Sequence, residues 1–555
     1  LIGFLSVSIY AFLFLTPFQA NYEKKATISK TISHGDLSSG MKYKFLNHKK
    51  EKGSVSVLVA VDVGSVDEEE HERGIAHMVE HLAFDSTEDF PGRATVWHEA
   101  MTSAGLFNAF TSYRNTVYML LGVDAKKNSV ENAMHILMNQ VLKQDTVEEN
   151  LALEKGAVLS EGRMRNESFS NALEHLLENH GGPSWRIGER SPIGTQDTVI
   201  SWSSDDVMSF FKKWYDPSRF TLICVGDMSV ESMKTAASNV FGKAKGKGSS
   251  VGKHHDVGVA KPRHPFSLQY VDGINGISFN LLATQPYITH PHDANFFRRD
   301  IVDKIFSVIY ILNMAARYHI MYPHESLMQT NHLAGALIDN GYTFGTKMHI
   351  LSTMSSGRSS EGPWQNDLEA SLIELRRMAE VGPSKLLTTI FLYVAHAVMY
   401  VMEYMEKDLS ASELAFLMLG DMDPSFIYQS FQQYRQTNTQ FLNIGFADAA
   451  AVQIQTEAQF LWKEILELTE LYDKKRHDKI LGGIDTKGVS ASLNVFIGTP
   501  TTDANIPHVS FFDVKMIVEK ASRLKELGES PLMTVFSELD YEDLMSKMGL
   551  PLSSR

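Results

Sequence analysis

Between residues 43 and 67 apolar and polar positions alternate, with Val55, Val57, Val59, Val61 and Val63 in one register. This predicts a strand with one buried face, followed by an acidic turn at 67–70. The period then changes: Ile75, Met78, Val79 and Leu82 fall at intervals of three and four, the apolar stripe of an amphipathic helix, and 94–104 reads as another helix. Strands follow at 107–113 and 116–123, helices at 130–142 and from 147 into the 170s, a helix at 205–214, a strand at 221–225 and a helix at 230–241. That order predicts an α+β domain, an antiparallel-rich sheet with helices packed on it.

Residues 243–264 are rich in Lys, Gly and Ser and carry no apolar period, so a linker is expected at 246–264, with His254 and His255 read as solvated sequence. The pattern then restarts. A strand region at 266–282, a strand at 342–352 and helices at 300–316, 367–379 and 386–405 predict a second unit of the same architecture, without a self-similar motif. The apolar stretch 386–402 contains His396 and reads as a buried core helix, not a membrane span. The expected organisation is a signal peptide or anchor at 1–20, domains at 27–245 and 265–500, and a connector at 501–555 with one helix, 514–527.

Composition narrows the function. The 555 residues include 52 basic and 66 acidic side chains, and the resulting charge of −14 opposes binding to a polyanionic backbone, so nucleic acid is excluded as a partner. Cys224 is the single cysteine, which rules out an internal disulfide and a multi-cysteine metal site; any metal must be held by histidine and carboxylate. Residues 1–20 are apolar and uncharged and end in small and polar residues before a charged stretch. They read as an export signal, placing the protein in the periplasm, the secretory pathway or outside the cell, with a membrane anchor or a buried helix as alternatives.

The first amphipathic helix contains His77-Met78-Val79-Glu80-His81. Four residues apart, the two imidazoles project from one helix face, where they can chelate one zinc ion, with Glu80 beside them. Zinc lowers the pKa of a bound water from about 15.7 to about 7, and a neighbouring carboxylate can take its proton during attack on a carbonyl. A catalytic zinc uses three protein ligands and keeps a fourth position open. The helix beginning near 147 offers Glu154 and Glu161, seven apart on nearly one face, so one can bind the metal while the other supports a ligand. Spacing does not choose between them, and a solvated acidic stripe would look the same.

These residues stand within a longer resemblance. Residues 73–84, RGIAHMVEHLAF, then Asn108-Ala109-Phe110-Thr111-Ser112 with Thr116-Val117-Tyr118, then Glu154 with Glu161, Ser191-Pro192-Ile193-Gly194, Trp214-Tyr215-Asp216-Pro217 and Val225-Gly226-Asp227 resemble the inverzincin metallopeptidases of the pitrilysin/insulysin type in order and spacing. That family includes processing peptidases and bacterial periplasmic zinc proteases. The resemblance implies that His77, His81 and Glu161 bind one zinc per chain, that Glu80 is the general base and that Glu154 supports a ligand. It also implies that Asn108, Ala109, Phe110 and Thr111 lie on a strand that pairs with extended substrate; as residues alone they equally suit a plain sheet edge.

The expected function is therefore a zinc-dependent endopeptidase acting on unfolded or targeting peptides. Larger relatives carry four such domains, the later pair supplying an Arg and a Tyr that have no counterpart identified here, so the chain resembles the front half of a longer enzyme or one that encloses substrate with a second chain. A catalytically silent member acting as a partner or scaffold, and a membrane-tethered interaction protein, are the competing readings. Residues 265–500 show no second HxxEH, as an inactive second domain would, and resemble the family through element order and Leu419-Gly420-Asp421.

Overall fold

The computed structural model describes residues 32–103, 105–144, 148–166, 169–181, 185–246, 251–262, 265–271, 277–286, 294–322, 338–343, 346–355, 363–392, 394–395, 410–419, 444–477, 490–498 and 509–538. Of these, residues 32–260 and 410–419 form one compact unit and the remainder a second. The expected signal or anchor at 1–20, His396 and Gly420-Asp421 lie outside the described residues.

In the first unit the strands are β1 (Ser33–Asp36), β2 (Lys42–Asn47), β3 (Ser54–Val61), β4 (Leu106–Thr111), β5 (Thr116–Asp124) and β6 (Phe220–Gly226), in the spatial order β1-β2-β6-β3-β5-β4. Only β2 and β6 pair in parallel; the other neighbours are antiparallel. The alternation at 43–67 thus belongs to two strands. Gly53, at φ +72°, sits in the turn between them in a left-handed conformation that costs glycine little, and its N–H is held by Asp227 at 3.1 Å. The strand expected at 107–113 stops at Thr111 because the Ser112 N–H turns to the Asn115 carbonyl at 2.8 Å.

Alternation decides what each face of the sheet buries. Val55, Val57, Val59, Val61 and Tyr118 lie in one core with helices α1 (Ile75–Leu82), α2 (Arg93–Ser103), α3 (Lys127–Leu142) and α4 (Glu148–Asn166). Along the helix expected to run into the 170s, the described residues form α4 and α5 (Phe169–Gly181), both helical, with 167–168 outside them. Helices α6 (Arg186–Glu189), α7 (Gln196–Ser201), α8 (Ser204–Trp214) and α9 (Val230–Phe241) complete the unit. The opposite face, Leu58, Val117, Met119, Leu121, Ile223 and Val225, is covered by Ala411, Leu414, Ala415 and Met418 of a helix, Ala411–Leu419, that comes from within the expected second domain. Lys44 donates to the Met418 carbonyl at 3.1 Å, and the Ser56 and Ser412 hydroxyls meet at 3.0 Å. The span 265–500 therefore divides between the two units, because an apolar sheet face in water must be covered by some segment.

The expected linker also departs from its reading. His254 is not solvated sequence: its Nδ1 lies 2.8 Å from Asp67, its Nε2 3.1 Å from Asp62, and its ring packs over Trp214. Those carboxylates, acting against burial, raise its pKa to about 9. Arg186 N–H bonds the Val257 carbonyl at 2.9 Å and Gly252 N–H the Lys213 carbonyl at 3.0 Å, so 252–257 is strapped to the first unit.

The second unit repeats the plan. Strands β7 (Phe266–Val271), β8 (Ile277–Pro286), β9 (Ile338–Thr343), β10 (Thr346–Ser355) and β11 (Ala491–Gly498) take the order β7-β11-β8-β10-β9, with β7 and β11 parallel and the rest antiparallel. Helices α10 (Ala294–Met321), α11 (Pro363–Glu380) and α12 (Ile444–His477) lie on it, the last a 34-residue helix that buries Ile454, Ala458, Leu461, Ile465, Leu468 and Leu471 at intervals of three and four. Between sheet and helices Lys347 is buried, 3.0 Å from Asp303 and 2.5 Å from Glu457. The connector helix expected at 514–527 is α13 (Phe511–Arg523); it packs on α11, where Arg376 donates to the Ala521 carbonyl at 2.7 Å, so this stretch is built into the unit.

The far-face helix yields the first prediction. Leu414→Ala should lower the stability of the first unit by ~2–5 kcal/mol, the usual cost of emptying a core leucine site, and Leu414→Asp by more. Urea unfolding followed by tryptophan fluorescence reads this, since Trp185, Trp202 and Trp214 are buried in that unit; unchanged midpoints would show that the contact is not supporting the sheet.

Candidate metal centre

Helix α1 bears the HxxEH residues and is seated by groups outside it. Gly74 precedes the helix at φ +93°. A Cβ there would lie 2.7 Å from the Gly194 Cα, and one on Gly194 would lie 2.4 Å from the Arg73 carbonyl oxygen, so the Arg73-Gly74 and Ile193-Gly194 segments meet backbone to backbone. Glu68, wholly buried, accepts the Gly74 N–H at 2.8 Å and the Ala76 N–H at 2.9 Å. Burial pushes its carboxyl well above the usual carboxylate range, against the pull of those two bonds. Ile75, Met78, Val79 and Leu82 go into the core, which turns His77, Glu80 and His81 toward α4.

On α4 the two glutamates take different positions. Glu161 Oε2 lies 3.6 Å from His77 Nε2 and 3.5 Å from His81 Nε2. Donor atoms of His77, His81 and Glu161 all fall within 4.8 Å of one another, the one such group of three among the described residues. Zinc–donor bonds of about 2.0–2.1 Å at tetrahedral angles place donors about 3.4 Å apart, near the 3.6 and 3.5 Å from Glu161 to the two histidines, so this set could hold one ion. Glu154 Oε2 faces the other ring nitrogen of His81, Nδ1, at 2.8 Å. That contact favours the Nδ1–H form and directs Nε2 at the Glu161 side. Burial pulls the His81 pKa down, but the hydrogen bonds to Glu154 and Glu161 and the Glu80 charge outweigh it and raise it to about 9.

Glu80 is buried, 3.9 Å from His77 Nε2, and its Oε2 accepts the Thr111 hydroxyl at 2.7 Å. Strand β4 is the terminal strand of its sheet, pairing with β5 on one side. Its pleat sends Phe107 and Ala109 into the helix-side core and leaves Asn108 and Phe110 exposed. Asn108, Ala109, Phe110 and Thr111 line a cleft of about 700 Å³ together with the ligand set, Phe84 and Trp97, a size within the range of ligand-binding clefts. Thr111 thus joins the strand to Glu80, instead of lying on the strand alone.

Sequence reasoning did not single out Arg93. At the start of α2 its guanidinium donates to Glu154 and, at 2.6 Å, to Asp85. Sixty-one residues separate it from Glu154, and no spacing rule links positions so far apart. The motif words Thr116-Val117-Tyr118 and Trp214-Tyr215 also converge, the Tyr118 and Tyr215 hydroxyls meeting at 2.8 Å in the core.

With His81 raised from 6.5 to about 9 in the folded chain, its ion pair with Glu154 contributes fully below about pH 6.5 and is lost as pH rises through 9. The metal-free chain should lose stability across that window, and Glu154→Gln should flatten the loss. Thermal melts over the alkaline range check this; identical pH dependence in the two proteins would remove Glu154 as the cause.

Residues 44–182 match the family described as Insulinase (Peptidase family M16), and residues 201–293 match the Peptidase M16 inactive domain, the second match running across the expected linker. Among curated relatives, the probable zinc protease PqqL of Escherichia coli (strain K12) is 30% identical over 216 residues, 37% of this chain and 22% of that one. The chloroplastic stromal processing peptidase of Arabidopsis thaliana is 28% identical over 218 residues, 38% of this chain and 16% of that one. The match thus spans about a fifth of the length of these relatives. In fold, the chain is similar to the periplasmic protease PqqL from Escherichia coli, with a TM-score of 0.68 at 17% identity over 91% of this chain and 51% of that chain. The first half of PqqL is covered to 99% at a TM-score of 0.65 and 17% identity, over 91% of this chain, and pitrilysin to 51% at 0.56 and 13%, over 92% of this chain. The chain thus carries one region similar to the Insulinase (Peptidase family M16) domain and one similar to the M16 inactive domain, and in fold it resembles the first half of PqqL.

Proposed function

We propose that this chain is a zinc-dependent endopeptidase unit that hydrolyses extended or unfolded peptides. One observation carries the reading: three donor residues with zinc-compatible separations, His77, His81 and Glu161, stand beside a buried carboxylate, Glu80, in a cleft walled by a terminal sheet strand. A bound zinc would supply the Lewis acidity that makes water nucleophilic near neutral pH. His77 Nε2, His81 Nε2 and a Glu161 oxygen would hold it. Glu80, its Oε2 oriented by the Thr111 hydroxyl, would accept the water's proton and return it to the departing amine. An extended peptide would add to the outer edge of β4 through backbone hydrogen bonds, placing its carbonyls along the wall that ends at Thr111. A complete donor set with an intact base supports this reading over a silent scaffold role.

Two further elements belong to the proposal. Cleavage of targeting peptides would follow the relatives named processing peptidases, and enclosure of the substrate would need a second half or second chain, in keeping with coverage of half of the PqqL and pitrilysin chains. Export is supported by the periplasmic relative and by the apolar 1–20 segment; among the described residues no helix is long and apolar enough to cross a membrane.

Purified chain should carry about one zinc, and His77→Ala or His81→Ala should lose it, because one of three protein ligands is gone. Full metal content in both variants would sink the assignment. Uptake must also displace the His81 proton, so zinc affinity should climb with pH toward about 9. Glu80→Gln should keep zinc and peptide binding while turnover falls by orders of magnitude, since an amide cannot take the proton; undiminished kcat would refute the base. If turnover of the isolated chain is weak, supplying a C-terminal half in trans should raise it.

A further inference from the structure

The Arg93 guanidinium is the outermost member of a chain of contacts ending at a metal-ligand candidate. It donates to Glu154 Oε1 and to Asp85 Oδ1, while Glu154 spends its other oxygen, Oε2, on His81 Nδ1. Both carboxylates are buried, whereas the Arg93 side chain is 56% exposed along the cleft. Glu154 therefore has one oxygen for the ligand and one for the arginine, a geometry that fixes the rotation of the carboxylate and, through it, the plane of the His81 ring. Asp85 anchors the guanidinium from just beyond the end of α1, so the fork ties α1, α2 and α4 together around His81. Four residues on from Arg93, Trp97 lies on the same helix and lines the same cleft, 5.4 Å from Phe107 and 5.8 Å from Phe84 between ring centres. The helix that offers an aromatic wall to a peptide thus also carries the group that steadies the metal ligand.

We propose that Arg93 is a positioning residue of the metal centre: bridging Glu154 and Asp85, it holds Glu154 in the orientation that aims His81 Nε2 at the ion, and it couples helix α2 to the ligand set. The inference rests on the zinc reading of the site. It concerns metal affinity, so it is measured without turnover. Outer partners of ligating histidines commonly alter metal affinity 10- to 100-fold. A guanidinium grips a carboxylate through a planar fork that lysine reproduces only as a point charge, so lysine should rescue in part.

The experiment is zinc affinity of the full chain by chelator competition at one pH, for wild type, Arg93→Met, Arg93→Lys, Glu154→Gln and the Arg93→Met/Glu154→Gln double variant, each first checked by thermal melting. Arg93→Met should weaken zinc about tenfold, Arg93→Lys should recover part of that, and Arg93→Met should have little further effect once Glu154 is Gln, because the arginine acts through that carboxylate. Should Arg93→Met melt below the assay temperature, Arg93→Gln carries the same comparisons. Wild-type affinity in Arg93→Met, or an undiminished loss in the Glu154→Gln background, overturns the role of Arg93 while leaving the zinc reading intact. No zinc binding by the wild type, or binding that survives His77→Ala, overturns the zinc reading and this proposal with it.

Discussion

A helix of eight residues is too short to be stable by itself, and α1 must nevertheless hold two imidazoles and a carboxylate in fixed directions. Its N-terminus is held by a buried carboxylate. Glu68 takes the N–H groups of Gly74 and Ala76, two of the donors a helix start leaves without partners, and it does so in a place where burial strongly disfavours its charge. The helix can enter at that angle because Gly74 and Gly194 allow two backbones to touch. Everything chemical in the first unit depends on this seat: a turn of α1 by one residue would carry His77 and His81 away from α4.

Against that fixed helix, α4 works as a rail with two stations. Its first glutamate meets one nitrogen of His81 and its second lies between the outer nitrogens of both histidines. Seven residues make nearly two helical turns, so a single rigid element delivers one carboxylate to the Nε2 side of the two histidines and another to His81 Nδ1. The environment then differentiates two chemically identical side chains: Glu154 is buried and shared with Arg93, while Glu161 is partly open to the cleft.

The sheet contributes by having two faces and an end. Its helix-side face seats α1, and its last strand borders the cleft, with Thr111 reaching Glu80 where the pleat turns that side chain inward. Its other face is equally apolar and is closed by residues 411–419, more than 180 positions beyond β6. A segment that looks like part of the second domain therefore bears on the stability of the first.

Residue periods alone determined a good deal. The valine alternation and the 3-4 spacing of Ile75, Met78, Val79 and Leu82 report which faces are buried, and i,i+4 geometry puts His77 and His81 together whatever the rest of the chain does. Those signals survive because they are local. Tertiary structure decided the rest. Which glutamate of α4 faces the outer nitrogens depends on how α4 crosses α1; the Arg93 fork, the Glu68 seat and the clasp of His254 between Asp62 and Asp67 join residues 61, 6 to 8 and 187 to 192 positions apart. Spacing in the chain carries information only over the few residues that one helix or strand holds rigid, and contacts between elements are set by packing, where the cost of leaving a carboxylate or an apolar face uncovered selects the partner.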